Sequence, residues 1–449
     1  MDIISDFLDL SQDSISSLSS YVENDVLIIC LTLKSFPCSC PICNTSTSHI
    51  KEYKLKRIKH SALNQKKCLI EYRARRLVCD NCGKTFYEKN PFIPLGHSVS
   101  NLTVLNVLHE LKESNATFAS VARHNFISPT KAQEIFDLYV RIPKSPLPEI
   151  ICIDEVYALK DNHSKYVCIL LDFLSHEMVD MLPDRKKYSL LNYFDRIPIQ
   201  ERNNVKYVVI DMYSVYRDVV HMKLKNAVIA VDSFHVIKNI NTALDKVRIR
   251  IMKGKKSDCI DYYLLKNFHW LLLTGEVREN KRRYNKRLRR YINYPQLLDL
   301  LLNISPELRT AYEFKNLYLC FNMVSDHDNA EHDFHEFMKE VRDCNISEMI
   351  EIIKMLNNWH DEIINSFIVV NGKRLSNGIM ESRNSIVKLI KKTGNGYVNF
   401  ARFRNRCMYC MNKNAKPNMA GYDVPLKMKG HKRGKYKNCL LYTSDAADD

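Results

Sequence analysis

Two aspartates in the middle of the chain are spaced so that they could share a metal ion. Asp154 closes the apolar run IICID, and Asp211 closes the run YVVID. Such runs predict buried strands, and an acid that closes a strand lies at the sheet edge where ligands bind in α/β proteins. Adjacent carboxylates repel unless a divalent cation lies between them, and Mg²⁺ or Mn²⁺ favours these ligands. The pair therefore predicts a metal site, although either aspartate could simply cap the helix that follows it.

A third acid, Glu381, lies far along the chain in the stretch SNGIMESRNSIVKLIKK. A glutamate on a surface helix is usually paired with a basic residue three or four positions on, but Asn384 and Ser385 stand there. At 100° per residue, the predicted buried face of this helix consists of Ile379, Ile386 and Ile390. The opposite sector holds Glu381 with Asn384, Ser385, Lys388 and Lys392. Glu381 is thus either a surface residue or a ligand, and the two lysines are candidate DNA contacts.

Two cysteine pairs predict a second kind of metal site. They are Cys40-Pro-Ile-Cys43 and Cys79-Asp-Asn-Cys82, and the chain between them alternates in the manner of strands. Four thiolates from two such turns complete a tetrahedral zinc site with no open position, which is the structural site of a zinc ribbon. The alternative is a set of free cysteines in a small core. The chain has fifteen cysteines, and its first residues, MDIISDFLDLSQDS, show no secretory signal. We therefore expect reduced thiols and not disulfides.

The elements that would position the aspartates follow a recognisable order. The patterns predict three strands, a helix, a strand ending at Asp211, a helix, a strand ending at Asp232 and a long helix. This order is typical of a ribonuclease H-like α/β fold, in which the first strand, with Asp154, lies beside the fourth. The chain between Asp211 and Glu381 is too long for one crossover, so residues from about 255 to 350 are predicted to form an inserted helical region.

The charge of the chain indicates a nucleic-acid partner. Its 67 Lys and Arg residues outnumber 51 Asp and Glu residues, and the net charge is +16. Basic side chains spread along a protein release counterions from a phosphate backbone, which favours double-stranded DNA as the partner. Within the insertion, VRENKRRYNKRLRRYINYP is a candidate DNA surface with interleaved tyrosines. Its predicted DNA contacts are Arg282, Arg283, Lys286 and Arg287. A solvated helix is the alternative for this stretch. A second stretch, HDNAEHDFHEF (327–337), contains histidines and acids that could hold a second metal ion, but a solvated helix is the favoured interpretation there.

A helical region from 102 to 139 predicts a further DNA-binding module. Ser128 and Pro129 are a good start for its last helix, with serine as the N-cap and proline at the first position. A short helix, a tight turn and a second helix form a helix-turn-helix, whose second helix enters the major groove. Thr130, Lys131 and Gln133 would then face base edges or phosphates. The alternative is a plain three-helix linker domain.

Four segments resemble the signature segments of bacterial insertion-sequence transposases of the ISL3 family. These are IDEVYALK, VVIDMYSVYRDVV, VDSFHVIKNINTALDKVR and SNGIMESRNSIVKLIKKTGNGYVNFARFRNR. The resemblance covers roughly residues 40–410 and implies a zinc ribbon, a helix-turn-helix and a DDE nuclease, in that order. It implies the catalytic triad Asp154, Asp211 and Glu381. Asp232 and His235 match a family motif and would be positioning residues, with Asp232 a possible metal ligand. Met380, Ser382 and Arg383 stand where many members have small residues, and we expect no loss of chemistry from them.

The function implied is DNA cleavage and strand transfer at the terminal inverted repeats of an insertion sequence, by two metal ions in one site. Joining two element ends requires an oligomer on DNA. The alternatives are a catalytically inactive DNA-binding regulator and a structure-specific nuclease.

The predicted domains are an N-terminal region with the zinc ribbon (1–95), a helix-turn-helix (96–145), the nuclease (146–412) and a basic tail (413–449). The final CLLYTSDAADD (439–449) resembles a translated sequencing adapter, so we do not expect it to be part of the native fold. No stretch reaches the roughly 18 apolar residues of a membrane span, so we expect a bacterial cytoplasmic, nucleoid-associated protein.

Overall fold

The computed structural model describes residues 10–60, 67–88, 92–93, 98–157 and 164–421. The adapter-like segment 439–449 and the rest of the basic tail after residue 421 lie outside these residues. The chain divides into two compact units, one formed by Met1–Ile142 with Ala415–Asp449 and the other by Pro143–Asn414. Among the described residues, none of the helices combines the length and the apolar character needed to cross a bilayer.

The first unit is built on a five-stranded sheet. The strands of this unit are β1 (Ile15–Glu23), β2 (Val26–Leu33), β3 (Cys38–Ser39), β4 (Ser46–Thr47), β5 (Ile50–His60), β6 (Lys67–Val78) and β7 (Thr85–Tyr87). The main sheet has the order β1-β2-β6-β5, with β7 also paired to β6, and β3 pairs with β4. Period-two alternation turns Ile70 and Tyr72 of β6 into a core with Ile29 and Leu31 of β2.

Three helices complete the first unit, and each begins at a side chain that caps it. They are α1 (Asn101–Glu110), α2 (Phe118–His124) and α3 (Pro129–Tyr139). The predicted cap of α3 is confirmed, because the Ser128 hydroxyl accepts a 3.1 Å hydrogen bond from the Lys131 N–H and Pro129 opens the helix. Ile127 is buried in the turn before it, and the turn bends sharply because Phe126 has φ = 52°.

The second unit contains a five-stranded mixed sheet. Its strands are β8 (Ile150–Tyr157), β9 (Tyr166–Asp172), β10 (Met178–Leu182), β11 (Tyr207–Ile210) and β12 (Val228–Val231). The order is β10-β9-β8-β11-β12. Strands β8, β11 and β12 pair in parallel, while β9 pairs antiparallel with both of its neighbours, β8 and β10. The predicted neighbourhood of the first and fourth strands of this region is therefore confirmed, since β8 pairs with β11.

Helices cover this sheet and form the inserted region. They are α4 (Lys187–Asp195), α5 (Ile199–Asn203), α6 (Ser214–Lys223), α7 (Ser233–Lys253), α8 (Ile260–Asn267), α9 (His269–Leu273), α10 (Tyr294–Leu302), α11 (Pro306–Val324), α12 (Ala330–Glu340), α13 (Ser347–Asn358), α14 (His360–Asn365), α15 (Gly378–Thr393) and α16 (Phe400–Met411). Two short hairpins interrupt them, β13–β14 (Arg283–Asn285 and Arg290–Ile292) and β15–β16 (Val369–Val370 and Lys373–Arg374).

The basic stretch of the insertion is one of these hairpins, so the alternative of a solvated helix is wrong for it. The Asn285 side chain accepts hydrogen bonds of 3.0 Å from the N–H groups of Arg287 and Leu288, which closes the turn. Arg289 adopts φ = 51°, a left-handed conformation that ends any helix. Tyr284 and Tyr291 pair across the strands with ring centroids 5.3 Å apart.

Candidate functional site

Three aspartates follow directly after the parallel-paired segments of β8, β11 and β12. The last residues in this parallel pairing are Ile153, Ile210 and Val231. The next residues are Asp154, Asp211 and Asp232, and the Asp232 N–H donates a 2.9 Å hydrogen bond to the Ile210 carbonyl. One detail of the prediction is wrong: Asp154 does not end its strand, because β8 continues along β9 to Tyr157. Register with β11 nevertheless ends before Asp154, which leaves this edge open for a ligand.

Asp154 and Asp211 form a tight acidic cluster with a residue that the sequence did not single out. One carboxylate oxygen from each of Asp154, Glu155 and Asp211 lies within 4.8 Å of the other two. Burial raises the pKa of Asp211 to about 7, and the charges of Glu155 and Asp154 add to this effect. Burial also raises the pKa of Glu155. A carboxyl group such as that of Asp211, with its pKa near neutral pH, is suited to exchange its proton for a divalent cation.

Glu155 is held by a cationic and a phenolic partner. It forms an ion pair with Arg185 and accepts a 3.1 Å hydrogen bond from the Tyr216 hydroxyl. The Arg185 guanidinium lies 4.6 Å from the ring centroids of both Tyr166 and Tyr213, so its position is fixed by stacking as well as by charge. Strand alternation predicts that Asp154 and Glu155 face opposite sides, which is why the sequence pattern did not reveal Glu155.

Helix α15 reaches the cluster through Asn384. The Asn384 side-chain N–H donates a 2.7 Å hydrogen bond to Oδ2 of Asp154. Its Oδ1 is buried and has no hydrogen-bond partner among the described residues. At the start of this helix, Asn377 donates its backbone N–H to Oδ1 of Asp232 at 3.2 Å and its side-chain N–H to the Ile153 carbonyl at 3.3 Å. The SNG turn (376–378) is therefore hydrogen-bonded to β8 and to Asp232, the residue that follows β12.

Glu381 occupies the first turn of α15 and is exposed. It lies one turn before Asn384 and is not among the described ligands grouped with Asp154. A carboxylate in the first turn interacts favourably with the helix dipole, which gives it a structural role in this state. The structure thus brings Asp154 and Asp211 together, while the third member of the predicted triad remains a prediction.

The predicted isoleucine face of α15 is wrong in part. The helix buries Met380, Asn384, Val387 and Ile390, whereas Ile379 and Ile386 are only half-buried. The buried stripe is turned because the hydrogen bond from Asn384 to Asp154 directs a polar side chain toward the sheet, and Met380 and Val387 share its side of the helix. Lys388 and Lys392 are exposed.

Asp232 precedes α7 and is only 5% exposed. Burial raises the pKa of its carboxyl. His235 lies one turn further on, with Nε2 4.0 Å from Oδ2 of Asp232. Asp232 is not grouped with the other two aspartates as a common ligand set among the described residues, and its Oδ1 accepts from Asn377. This arrangement suits a residue that positions the SNG turn.

The four cysteines predicted to bind zinc converge in the first unit. Sγ of Cys43 lies 3.5 Å from Sγ of both Cys79 and Cys82, and Sγ of Cys40 lies 3.6 Å from that of Cys82. A zinc ion about 2.3 Å from four sulfurs would separate them by about 3.8 Å. The Thr45 hydroxyl helps to lower the pKa of Cys43 to about 6, which favours the thiolate that a metal requires. Cys38 stays outside this group.

The two cysteine turns share one backbone geometry. The Asn44 N–H donates to the Cys40 carbonyl at 3.0 Å, and the Gly83 N–H donates to the Cys79 carbonyl at 2.9 Å. Asn44 and Gly83 have positive φ values of 56° and 68°. Residues that tolerate this left-handed conformation let each turn present both of its sulfurs to one point.

Comparison with known proteins decides the family. A family model described as a transposase, that of the ISL3 group of DDE transposases, matches residues 151–407, which is more than half of the chain. This chain belongs to the ISL3 family of transposases. It is also 22% identical over 367 residues to the transposase for insertion sequence element IS1001 from Bordetella parapertussis. That match covers 80% of this chain and 85% of the relative.

The candidate DNA-binding residues of this transposase lie on α3, on and next to the hairpin β13–β14, and on α15, where Lys388 and Lys392 are exposed. On α3, Thr130 is exposed, while Lys131 and Gln133 are half-buried, and Lys131 pairs with Glu134 at 3.3 Å. The hairpin residues predicted to contact DNA, which are Arg282, Arg283, Lys286 and Arg287, are all exposed. The Arg287 guanidinium also donates to the Asp258 carbonyl. Each of these surfaces retains basic groups that could meet phosphate.

Proposed function

We propose that this transposase cuts DNA at the ends of an insertion sequence and joins those ends to target DNA, using metal ions bound by Asp154, Asp211 and Glu381. One observation carries the proposal: Asp154 and Asp211 occupy matched positions on adjacent parallel strands, with carboxylate oxygens within 4.8 Å. The order β10-β9-β8-β11-β12 supports a ribonuclease H-like fold for this unit.

The donor set fits Mg²⁺ or Mn²⁺. The cluster offers oxygen atoms only, and the pKa of Asp211 is raised to about 7. Beside it, the buried Asn384 oxygen has no hydrogen-bond partner within the described part of the chain. When bound, such ions supply Lewis acidity for phosphoryl transfer. Asn384 holds the Asp154 carboxylate in one orientation, and Arg185 with Tyr216 holds Glu155. Asp154 would thereby be preorganised as a ligand beside a fixed Glu155.

Glu381 would complete the ligand set when DNA and metal are present. Its position supports this role, because Glu381 lies one turn before Asn384, about 60° around the helix, and Asn384 contacts Asp154. Lys388 and Lys392 follow on the exposed side of the same helix. They would contact the phosphates that flank the scissile bond.

The first unit would recognise the terminal inverted repeats of the element. We propose a zinc ribbon within residues 1–95 and a helix-turn-helix within 96–145, followed by the nuclease at 146–412 and the basic tail at 413–449. Structural Zn²⁺ on the four cysteines would hold the ribbon together. The hairpin β13–β14 would bind DNA backbone through its arginines and paired tyrosines. Two element ends must be joined, so the active form would be an oligomer on DNA at the bacterial nucleoid.

A cleavage assay with purified full-length protein tests this proposal. The substrate is a labelled duplex that carries the inverted repeats bracketing the reading frame, with Mg²⁺ present. Wild type is expected to give cleaved and joined products, and Asp154→Asn to give neither while still binding the duplex. Asp172→Asn is the matched control, since Asp172 ends β9 at the opposite edge of the same sheet. Binding without cleavage by wild type would point to a DNA-binding regulator, and cleavage without joining to a nuclease.

A further inference from the structure

We propose a second metal site, separate from the acidic cluster, in which Glu331, His335 and His360 bind a zinc-like divalent transition metal. Glu331 and His335 lie one turn apart on α12, and His360 opens α14. One ligand atom from each residue lies within 4.8 Å of the other two. For the stretch 327–337 the sequence favoured a solvated helix over a second metal site, and His360 lies outside that stretch. This inference does not depend on the proposed DNA chemistry.

The distances between the ligand atoms match a tetrahedral ion. Oε1 of Glu331 lies 3.2 Å from Nε2 of His360 and 3.6 Å from Nε2 of His335. A zinc ion bound at 2.0–2.1 Å to nitrogen and oxygen would separate neighbouring ligands by about 3.4 Å. The carboxylate oxygen and both imidazoles therefore already surround one point.

The orientation of His360 favours a metal over a simple hydrogen bond. Its Nδ1 lies 2.8 Å from Oδ1 of Asp361, and its ring packs edge-on against Phe334 with centroids 5.0 Å apart. A carboxylate on one imidazole nitrogen is the usual way to orient a metal-binding histidine. The other nitrogen, Nε2, is buried and makes no hydrogen bond of acceptable geometry among the described residues, although Glu331 lies only 3.2 Å away. Such an atom lacks the partner that a metal would supply.

The ligand types select the class of metal. Two imidazoles with one carboxylate suit Zn²⁺ and its neighbours Co²⁺ and Ni²⁺, whereas Mg²⁺ and Ca²⁺ prefer oxygen ligands alone. The site also differs from the four cysteines, which would bind the metal through sulfur. Three protein ligands leave a fourth position for water.

Binding would fasten the inserted region to the catalytic sheet. Helix α12 belongs to the insertion, while α14 is tied to β12 by a 2.9 Å hydrogen bond from the Asn365 side chain to the Ile229 carbonyl. Strand β12 leads directly to Asp232. A metal that bridges α12 and α14 would therefore restrict the insertion relative to the sheet edge that carries the aspartates.

Zinc titration of the full-length protein tests the site. Protein whose cysteine site is already saturated is titrated with Zn²⁺ against a chromophoric chelator. Wild type is expected to bind one equivalent more than His335→Ala, and Glu331→Gln to bind that equivalent at least about tenfold more weakly. His332→Ala, which removes an exposed histidine from the same helix, is expected to bind like wild type. Glu331 is exposed, so its variant tests the site even if another variant folds poorly.

Co²⁺ gives a second, independent readout. The extra equivalent of Co²⁺ is expected to show d–d absorption without the sulfur charge-transfer bands of a cysteine site. His335→Ala and Glu331→Gln are expected to lose this absorption. Equal Zn²⁺ binding by wild type, His335→Ala and Glu331→Gln would overturn the proposal and leave these three side chains as polar neighbours without a metal.

Discussion

The side-chain amide of Asn384 donates a 2.7 Å hydrogen bond to Oδ2 of Asp154 and so joins helix α15 to the strand that carries the first acid of the cluster. Asp154 Oδ1 accepts a second hydrogen bond, from the Glu155 N–H at 2.7 Å. Both oxygens of this carboxylate are therefore oriented before any ligand arrives, which is the condition for strong metal binding.

Asn384→Ala is expected to reduce DNA cleavage by about 10–100-fold, the usual effect of losing a group that orients a metal ligand. The Asp154 carboxylate would rotate more freely and bind the ion less well. The Mg²⁺ concentration for half-maximal cleavage should rise accordingly. Ser382→Ala, on the exposed side of the same helix, serves as the control. An unchanged Mg²⁺ requirement would show that Asn384 does not position Asp154.

Without added divalent cations, the stability of the protein should fall as the pH rises from about 4 to above 7, because of Asp211. The folded-state pKa of Asp211 is raised from its ordinary value to about 7, so the folded state binds more protons than the unfolded state in this window. The effect on the free energy of unfolding is on the order of a few kcal/mol. Asp211→Asn should therefore be more stable than wild type at pH 8 by chemical denaturation, and show less difference near pH 4. A variant that is less stable at pH 8 would contradict the account.

Cys43→Ser is expected to lower the zinc content of the purified protein by one equivalent. Three sulfurs would remain, and a closed structural site tolerates such a loss poorly. The first unit should then unfold at a lower temperature and bind the inverted repeats more weakly. Cys38→Ser is the control, because Cys38 is near in sequence but outside the sulfur cluster. Equal zinc content in both variants would rule out the four-cysteine site.

Replacing both Arg282 and Arg283 by alanine is expected to weaken DNA binding and to flatten its salt dependence. Each lost phosphate contact should reduce the slope of log affinity against log salt by about one. Fluorescence anisotropy at several salt concentrations measures this slope. Lys206→Ala removes an exposed lysine that pairs with Glu149 and should leave the slope unchanged. The same slope in the hairpin variant would remove β13–β14 from the DNA surface.

The features that could be predicted are those that depend on local sequence patterns. Apolar runs that end in an acid revealed Asp154 and Asp211, and the register of β8 with β11 brings the two residues level. The paired CxxC turns revealed the sulfur cluster, because each turn presents two sulfurs through its own backbone geometry. Ser128 and Pro129 began a helix as expected.

The features that sequence reasoning missed depend on long-range contacts or on single side chains. His360 joins Glu331 and His335 only through the packing of α12 and α14, which no spacing along the chain encodes. The hairpin β13–β14 depends on the Asn285 side chain that closes its turn. The basic run around Asn285 suggested a solvated helix as the alternative. On α15 the isoleucine pattern indicated a different face, since a hydrogen bond to Asp154 overrides apolar periodicity at Asn384.

Binding of Mn²⁺ to the full-length, zinc-loaded protein tests the central claim most directly, because it requires neither the DNA sequence nor turnover. Electron paramagnetic resonance counts the free ion as the protein is added. Wild type and Asp172→Asn are expected to bind Mn²⁺ alike, and Asp154→Asn and Asp211→Asn to bind it at least about tenfold more weakly. Equal binding by all four proteins would contradict a metal site at Asp154 and Asp211.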